Sequence, residues 1–304
     1  MAEHDGGRLA ILAAFAANLG IAIAKFVGFL ITGAASLLAE AVHSVADTSN
    51  QALLLLGGHR ARRSATEEHP FGYGRERFFW AFVVALVLFS MGGLFAIYEG
   101  IEKLRHPHEV ESLVVAVVIL LVAIALETFS LITAVREANH VRGGQSWWTF
   151  IRRSKNPELP VVLLEDTGAE IGLLLALVGV VMAHVTEEPR WDAAGSLGIG
   201  ILLVVIALVL ATEMKSLLIG ESASPGDQEA IRHAIEDSPE VRRLIHMRTE
   251  HLGPDELLVA AKAEFDGGLS FADLARAVDD TEARLRQAVP SARVVYIEPD
   301  VART

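Results

Sequence analysis

Residues 36–56, SLLAEAVHSVADTSNQALLLL, form a run long enough to cross a bilayer, yet it carries Glu40, His43, Asp47, Asn50 and Gln51. A charged side chain at mid-bilayer depth costs roughly 3 kcal/mol on insertion scales, so such residues are rare and usually functional. His43 and Asp47 are four apart, which stacks them on one helix face a turn from each other. An imidazole nitrogen and a carboxylate placed this way can grip a divalent cation from a single helix. A second interrupted run, LLEDTGAEIGLLLALVGVV, carries Glu165, Asp166 and Glu170. Asp166 and Glu170 again share a face, while Glu165 points about a quarter-turn away. His43, Asp47, Asp166 and Glu170 would supply the four ligands that Zn²⁺ prefers. Glu165 is the next candidate, as an alternative ligand, a support behind the ligands or a residue facing a cytoplasmic vestibule.

These side chains need helices to hold them. Apolar runs of spanning length occur at about 9–32, 36–56, 78–98, 113–135, 159–184 and 193–214, which predicts six membrane helices. Arginines and lysines gather in the second–third loop (Arg60, Arg62, Arg63, Arg75, Arg77) and the fourth–fifth loop (Arg142, Arg152, Arg153, Lys155). By the positive-inside rule both termini then face the cytoplasm. At 1.5 Å per residue, the His43–Asp47 and Asp166–Glu170 pairs each lie roughly 10–17 Å inside their own span, from opposite sides. In a hydrocarbon core of about 30 Å the two pairs meet near the middle. Glu127 in the fourth span is a further mid-membrane acid, read as a hydrogen-bond anchor with Ser130 or as a proton relay.

The chain divides into a six-helix membrane domain, residues 1–220, and a small α+β domain, residues 221–304. The turn-rich joint at 222–226 precedes a helix over 227–237, strands over 241–250 and 256–265, a helix capped by Ser270 and running to Ala288, and a strand over 292–298. The order αββαβ predicts helices on one face of a sheet, with too small a core to stand comfortably alone and hence a second copy as partner. Hydrophobic residues make up 52% of the 304 residues. Without cysteine, neither a disulfide framework nor a thiolate metal site is available. The formal net charge of −12 argues against nucleic acid as a partner. MAEHDGGR lacks the basic start of a secretory signal, so the first apolar run is expected to stay as a membrane helix. No residue set reads as catalytic or as holding a resident cofactor. A membrane metallohydrolase would want an open ligand position and a general base, and no HExxH motif is present. A non-transporting metal-binding or scaffold protein is the alternative from another class.

HSxxD at 43–47, HPFGYGRER at 69–77, the six spans and the αββαβ tail together resemble the cation diffusion facilitator family. The resemblance covers nearly the whole chain. It implies a homodimeric antiporter that exports a divalent metal, commonly Zn²⁺, from the cytosol against protons by alternating access, with a ferredoxin-like cytoplasmic domain. It also implies an integral position in lipid, in a cell (inner) membrane. The family carries a His/Asp-x-x-x-Asp pair in both the second and fifth helices. Here Val162 stands four before Asp166, and Glu170, one turn on, is the natural substitute. Carboxylate in place of imidazole hardens a site towards Mn²⁺ or Fe²⁺, with Cd²⁺ and Co²⁺ also within range, but the retained His43 keeps Zn²⁺ first. Metal binding would displace protons from His43 and a carboxylate, and an imidazole with its ordinary pKa of about 6.5 suits that exchange. His69 occupies the place of an accessory loop metal site, with Thr66 and Tyr73 as poor companion ligands. In the tail, Lys262 and Tyr296 stand where further metal ligands beside His246 would be expected, so the tail reads as a dimerisation module.

Overall fold

A computed structural model of the chain describes residues 19–300. The expected first span starts at Leu9, so its first half and the N-terminal octapeptide lie outside the described residues. Two compact units emerge. One holds the chain up to Leu56 together with Trp80–Arg152 and Glu158–Glu213; the other holds Gly57–Phe79, Arg153–Pro157 and the chain from Met214 onward.

The first unit is helical. α1 (Leu19–Thr32) and α2 (Ala35–Ala61) are followed by α3 (Glu76–Val87), a π-helical segment (Leu88–Leu94) and α4 (Phe95–Arg105), which run on as one rod. α5 (Leu113–Arg142), the short α6 (Trp147–Arg153), α7 (Glu158–Thr186) and α8 (Arg190–Ile219) complete it. Among the described residues four helices are long and apolar enough to cross a membrane: the α3–α4 rod, α5, α7 and α8. At 29 or 30 residues each they are about 45 Å long, so they outrun the apolar stretches seen in the sequence. α2 has the length, 27 residues, but its polar side chains lower its apolarity. Those polar groups point inward: Glu40, His43, Ser44, Thr48 and Asn50 are all buried. The large side chains left outside, such as Leu30, Phe129, Val178 and Ile201, are apolar, as a lipid-facing surface requires.

Close approach of backbones fixes this bundle. A Cβ on Gly200 of α8 would lie 2.7 Å from Ile97 N and 2.8 Å from Gly93 O, so only glycine lets α8 rest on the π segment. Ser196 adds a hydroxyl bond to Ala96 O at 2.9 Å. Small residues at helix contacts are the usual device in lipid, where apolar burial drives no association. The start of α2 is held by Asp192 of α8, whose carboxylate accepts from Ala35 N (2.7 Å), Ser36 N (3.3 Å) and the Ser36 hydroxyl. Asp192 also faces the buried Lys103 ammonium at 3.7 Å, and Lys103 donates to Gly33 O at 3.0 Å. The orphan N–H groups of a helix start are thus satisfied by a carboxylate that completes a buried ion pair.

In the second unit α9 (Pro225–Glu236), capped by Ser224, precedes β1 (Val241–Gly253), β2 (Glu256–Phe265), α10 (Phe271–Ala288) and β3 (Val294–Asp300). The αββαβ order is therefore present. β1 pairs antiparallel and β3 parallel with the central β2. Along β2 every second residue, from Leu257 to Phe265, is buried against Ile231, Ile235 and Leu285 of the two helices. Ser270 caps α10 by accepting from Asp273 N at 3.2 Å.

Candidate metal centre

The inward face of α2 repeats at helical spacing: Glu40, His43 and Ser44, Asp47, then Asn50 and Gln51. His43 Nδ1 lies 3.5 Å from Asp47 Oδ1. Both ring nitrogens of His43 and the Asp47 Oδ1 are buried without a hydrogen-bond partner. Each such group forfeits about 1–3 kcal/mol of solvation unless something supplies a bond. His43 is boxed in from the π segment, where a Cβ on Gly92 would stand 3.7 Å from its Nδ1.

α7 presents its three acids in two directions. The Glu165 side chain is buried and accepts a hydrogen bond from the Asn50 amide of α2. Asp166 accepts from the Ser130 hydroxyl of α5 at 2.8 Å, and Glu170 from the Thr128 hydroxyl of α5 at 3.0 Å. The second Glu170 oxygen is buried without a partner. Asp166 and Glu170 therefore face α5, and Glu165 faces α2. A cavity of about 20 Å³, with room for one water-sized or ion-sized particle, is lined by Ile21, Ser44, Asp47, Gln51, Glu127, Ser130 and Asp166. It brings Asp47 of α2 and Asp166 of α7 to one place, with Glu127 of α5 beside them. Among the described residues, no three His, Asp or Glu side chains converge at metal-binding distance. His43, Glu165 and Glu170 do not line the cavity.

His69, in the other unit, sits on an exposed loop with its ring edge-on to Tyr73, centroids 4.6 Å apart. Its backbone N–H is bound by the Thr66 hydroxyl at 3.1 Å, so Thr66 and Tyr73 shape the turn there. In the sheet His246 pairs across to Lys262, whose ammonium meets Glu298 at 2.9 Å and Asp300 at 3.0 Å.

Sequence reasoning passed over one charge beside this centre. Lys25 of α1 is wholly buried, and its ammonium donates to Glu40 Oε2 at 3.0 Å and Ser44 Oγ at 2.8 Å. A single lysine in an apolar run averages away in any hydropathy window; the signal available was Glu40, which needed a partner.

Residues 11–219 match the cation efflux transmembrane domain, and residues 223–300 match the cation efflux protein cytoplasmic domain. The chain belongs to the cation efflux family. It is 33% identical over 245 residues to the proton-coupled zinc antiporter SLC30A9, mitochondrial, of Homo sapiens, covering 80% of this chain and 43% of that protein. It therefore spans under half the length of that relative. Over 294 residues it is 24% identical to the cation-efflux pump FieF of Pectobacterium atrosepticum, covering 97% of this chain and 93% of the pump. The zinc transporter ZitB of Escherichia coli is 27% identical over 253 residues, covering 82% of this chain and 75% of the transporter. Between them the two family domains take in both parts of this chain, the helical bundle and the α+β tail.

Proposed function

We propose that the chain exports a divalent cation, Zn²⁺ first, in exchange for protons, and that His43, Asp47 and Asp166 bind the ion midway through the membrane. The observation that carries this reading is the pair of unpartnered His43 nitrogens and the unpartnered Asp47 oxygen, with Asp47 facing Asp166 across a cavity the size of an ion. Neutral imidazole nitrogen with carboxylate oxygen is a donor set that suits Zn²⁺. The fourth ligand comes from α7. Glu165, which faces α2, stands ahead of Glu170, which faces α5. Side-chain rotation closes the donors on the ion; rocking of helices then opens the site to the other side. Metal binding requires deprotonated donors, so each ion bound releases protons and each ion lost takes them up.

Both termini face the cytoplasm in this reading, in keeping with the arginine-rich loops after α2 and before α7. The tail joins two copies into a homodimer, as its similarity to the cytoplasmic domain supports. Dye-loaded proteoliposomes test the transport reading. An imposed Zn²⁺ gradient should move protons in the opposite direction, and competing Mn²⁺, Fe²⁺, Cd²⁺ and Co²⁺ should displace Zn²⁺ only in excess. Zinc flux without proton movement would contradict the coupling; no metal flux would contradict the function.

A further inference from the structure

Lys25 is the feature that the grip on the metal does not use. It lies within α1, fully buried, with its ammonium bound by Glu40 and Ser44 on either side of the α2 turn that carries His43. Burying an ammonium in lipid is expensive, and pairing offsets this only in part. The other buried lysine, Lys103, is taken up by Asp192 and Gly33 O. The same Lys25 ammonium is within electrostatic reach of His43, Asp47 and Glu127 as well as Glu40. Ile21, one turn earlier on α1, lines the cavity that Asp47 and Asp166 share. Glu40 in turn keeps one oxygen without a partner, pressed against α7 where Gly172 leaves it room: a Cβ there would stand 2.5 Å from Glu40 Oε1.

Six acids, Glu40, Asp47, Glu127, Glu165, Asp166 and Glu170, are carried by the three helices α2, α5 and α7. With so many carboxylates and no opposing charge, a divalent cation would bind too tightly to leave, and turnover needs release as much as capture. We propose that Lys25 is a built-in counter-cation of this centre, a positioning residue that lowers its affinity for the divalent ion and so permits release. The inference rests on the reading of Asp47 and Asp166 as the metal centre. Glu40 plays the opposing part: it holds the ammonium in place and screens it from the arriving metal. Charge arithmetic then sets opposite signs for the two residues, because removing a positive charge favours the incoming cation and removing a negative charge disfavours it. A merely structural tie between α1 and α2 predicts the same sign for both, since either change breaks the tie.

The test measures the Zn²⁺ dissociation constant of the purified full chain by competition with a fluorescent chelator, alongside maximal flux in proteoliposomes. Lys25→Met should tighten Zn²⁺ about tenfold and lower maximal flux, and Glu40→Gln should weaken Zn²⁺ about tenfold. The double variant Lys25→Met/Glu40→Gln should return to within about threefold of the parent. Should Lys25→Met alone fail to fold, the double variant compared with Glu40→Gln isolates the lysine, and must bind about tenfold more tightly. Shifts of the same sign, or none, overturn the inference while leaving the metal centre standing. A parent chain that binds no Zn²⁺ overturns the metal-centre reading itself, and the inference with it.

Discussion

Asn50 on α2 donates its side-chain amide to the Glu165 carboxylate on α7, a buried hydrogen bond joining the two helices that carry the polar pairs. It sets Glu165 on the α2 side and leaves Asp166 and Glu170 to the hydroxyls of α5. A buried hydrogen bond contributes about 0.5–1.5 kcal/mol net, and leaving its partner unsatisfied costs about 1–3 kcal/mol, so the three bonds together favour this rotation of α7. Glu165→Gln should therefore reduce Zn²⁺ flux about tenfold or more, and Glu170→Gln by less. The reverse ranking would put the fourth ligand at Glu170.

The Lys103–Asp192 pair is the clasp at the start of α2. Removing one partner of a buried pair costs about 3–5 kcal/mol, because the other is left charged and alone. Asp192→Ala should lower the unfolding temperature in detergent markedly, and Lys103→Met/Asp192→Leu together should lower it less. A double variant as unstable as the single would mean that capping Ala35 and Ser36, rather than the ion pair, carries the effect.

Contact between α8 and the π segment leaves no space for a methyl group. Gly200→Ala places a Cβ against Ile97 N and Gly93 O, neither of which can rotate away. Overpacking of this kind costs about 1–3 kcal/mol, and here it pushes α8 outward from the helix segment that boxes in His43. Thermal unfolding should fall accordingly, with weaker Zn²⁺ binding beside it; unchanged values for both would show that the helices separate freely.

In the tail, burial and the Lys155 ammonium push the His251 imidazole below its ordinary value, against the opposing pull of Gly253 O, Asp227 and Glu221. Its Nε2 is buried without a partner. The unfolded chain then binds a proton that the folded chain refuses, so stability is complete above about pH 6.5 and declines as pH falls below it towards the folded pKa. Amide protection in β1, corrected for intrinsic exchange, should drop between about pH 7.5 and about pH 5.5. His251→Phe should flatten that slope; a slope that persists would assign the acid sensitivity elsewhere.

Much of this architecture could be read from residue patterns. The alternation of Leu257, Val259, Ala261, Ala263 and Phe265 made β2 legible to the residue, because burial on one face imposes a period of two. Ser270 three residues before Asp273 marked the start of α10 through its cap. Apolar runs gave the spans but not their ends, since helices such as α2 and α8 continue past the apolar stretch. The π conformation of Leu88–Leu94 could not be foreseen from residue types, although the Gly92–Gly93 pair within it pointed to close helix packing. Which of Glu165 and Glu170 faces α2 was equally hidden: a helix face is a local property, but its rotation is set by partners, here Asn50, Thr128 and Ser130. Lys25 is not legible in the sequence because an isolated charge scarcely alters the mean apolarity of a long run, although its partner Glu40 is conspicuous in α2.

If Asp47 and Asp166 hold one transported ion between α2 and α7, as proposed, neither carboxylate can be spared. Zinc-driven proton movement in proteoliposomes bearing the parent chain, Asp47→Ala or Asp166→Ala, each first shown to be folded, tests it most directly. The parent should give a clear signal and both variants about a hundredth of it or less, a change equivalent to about 2.8 kcal/mol in binding. Parent-like movement in either variant would contradict it.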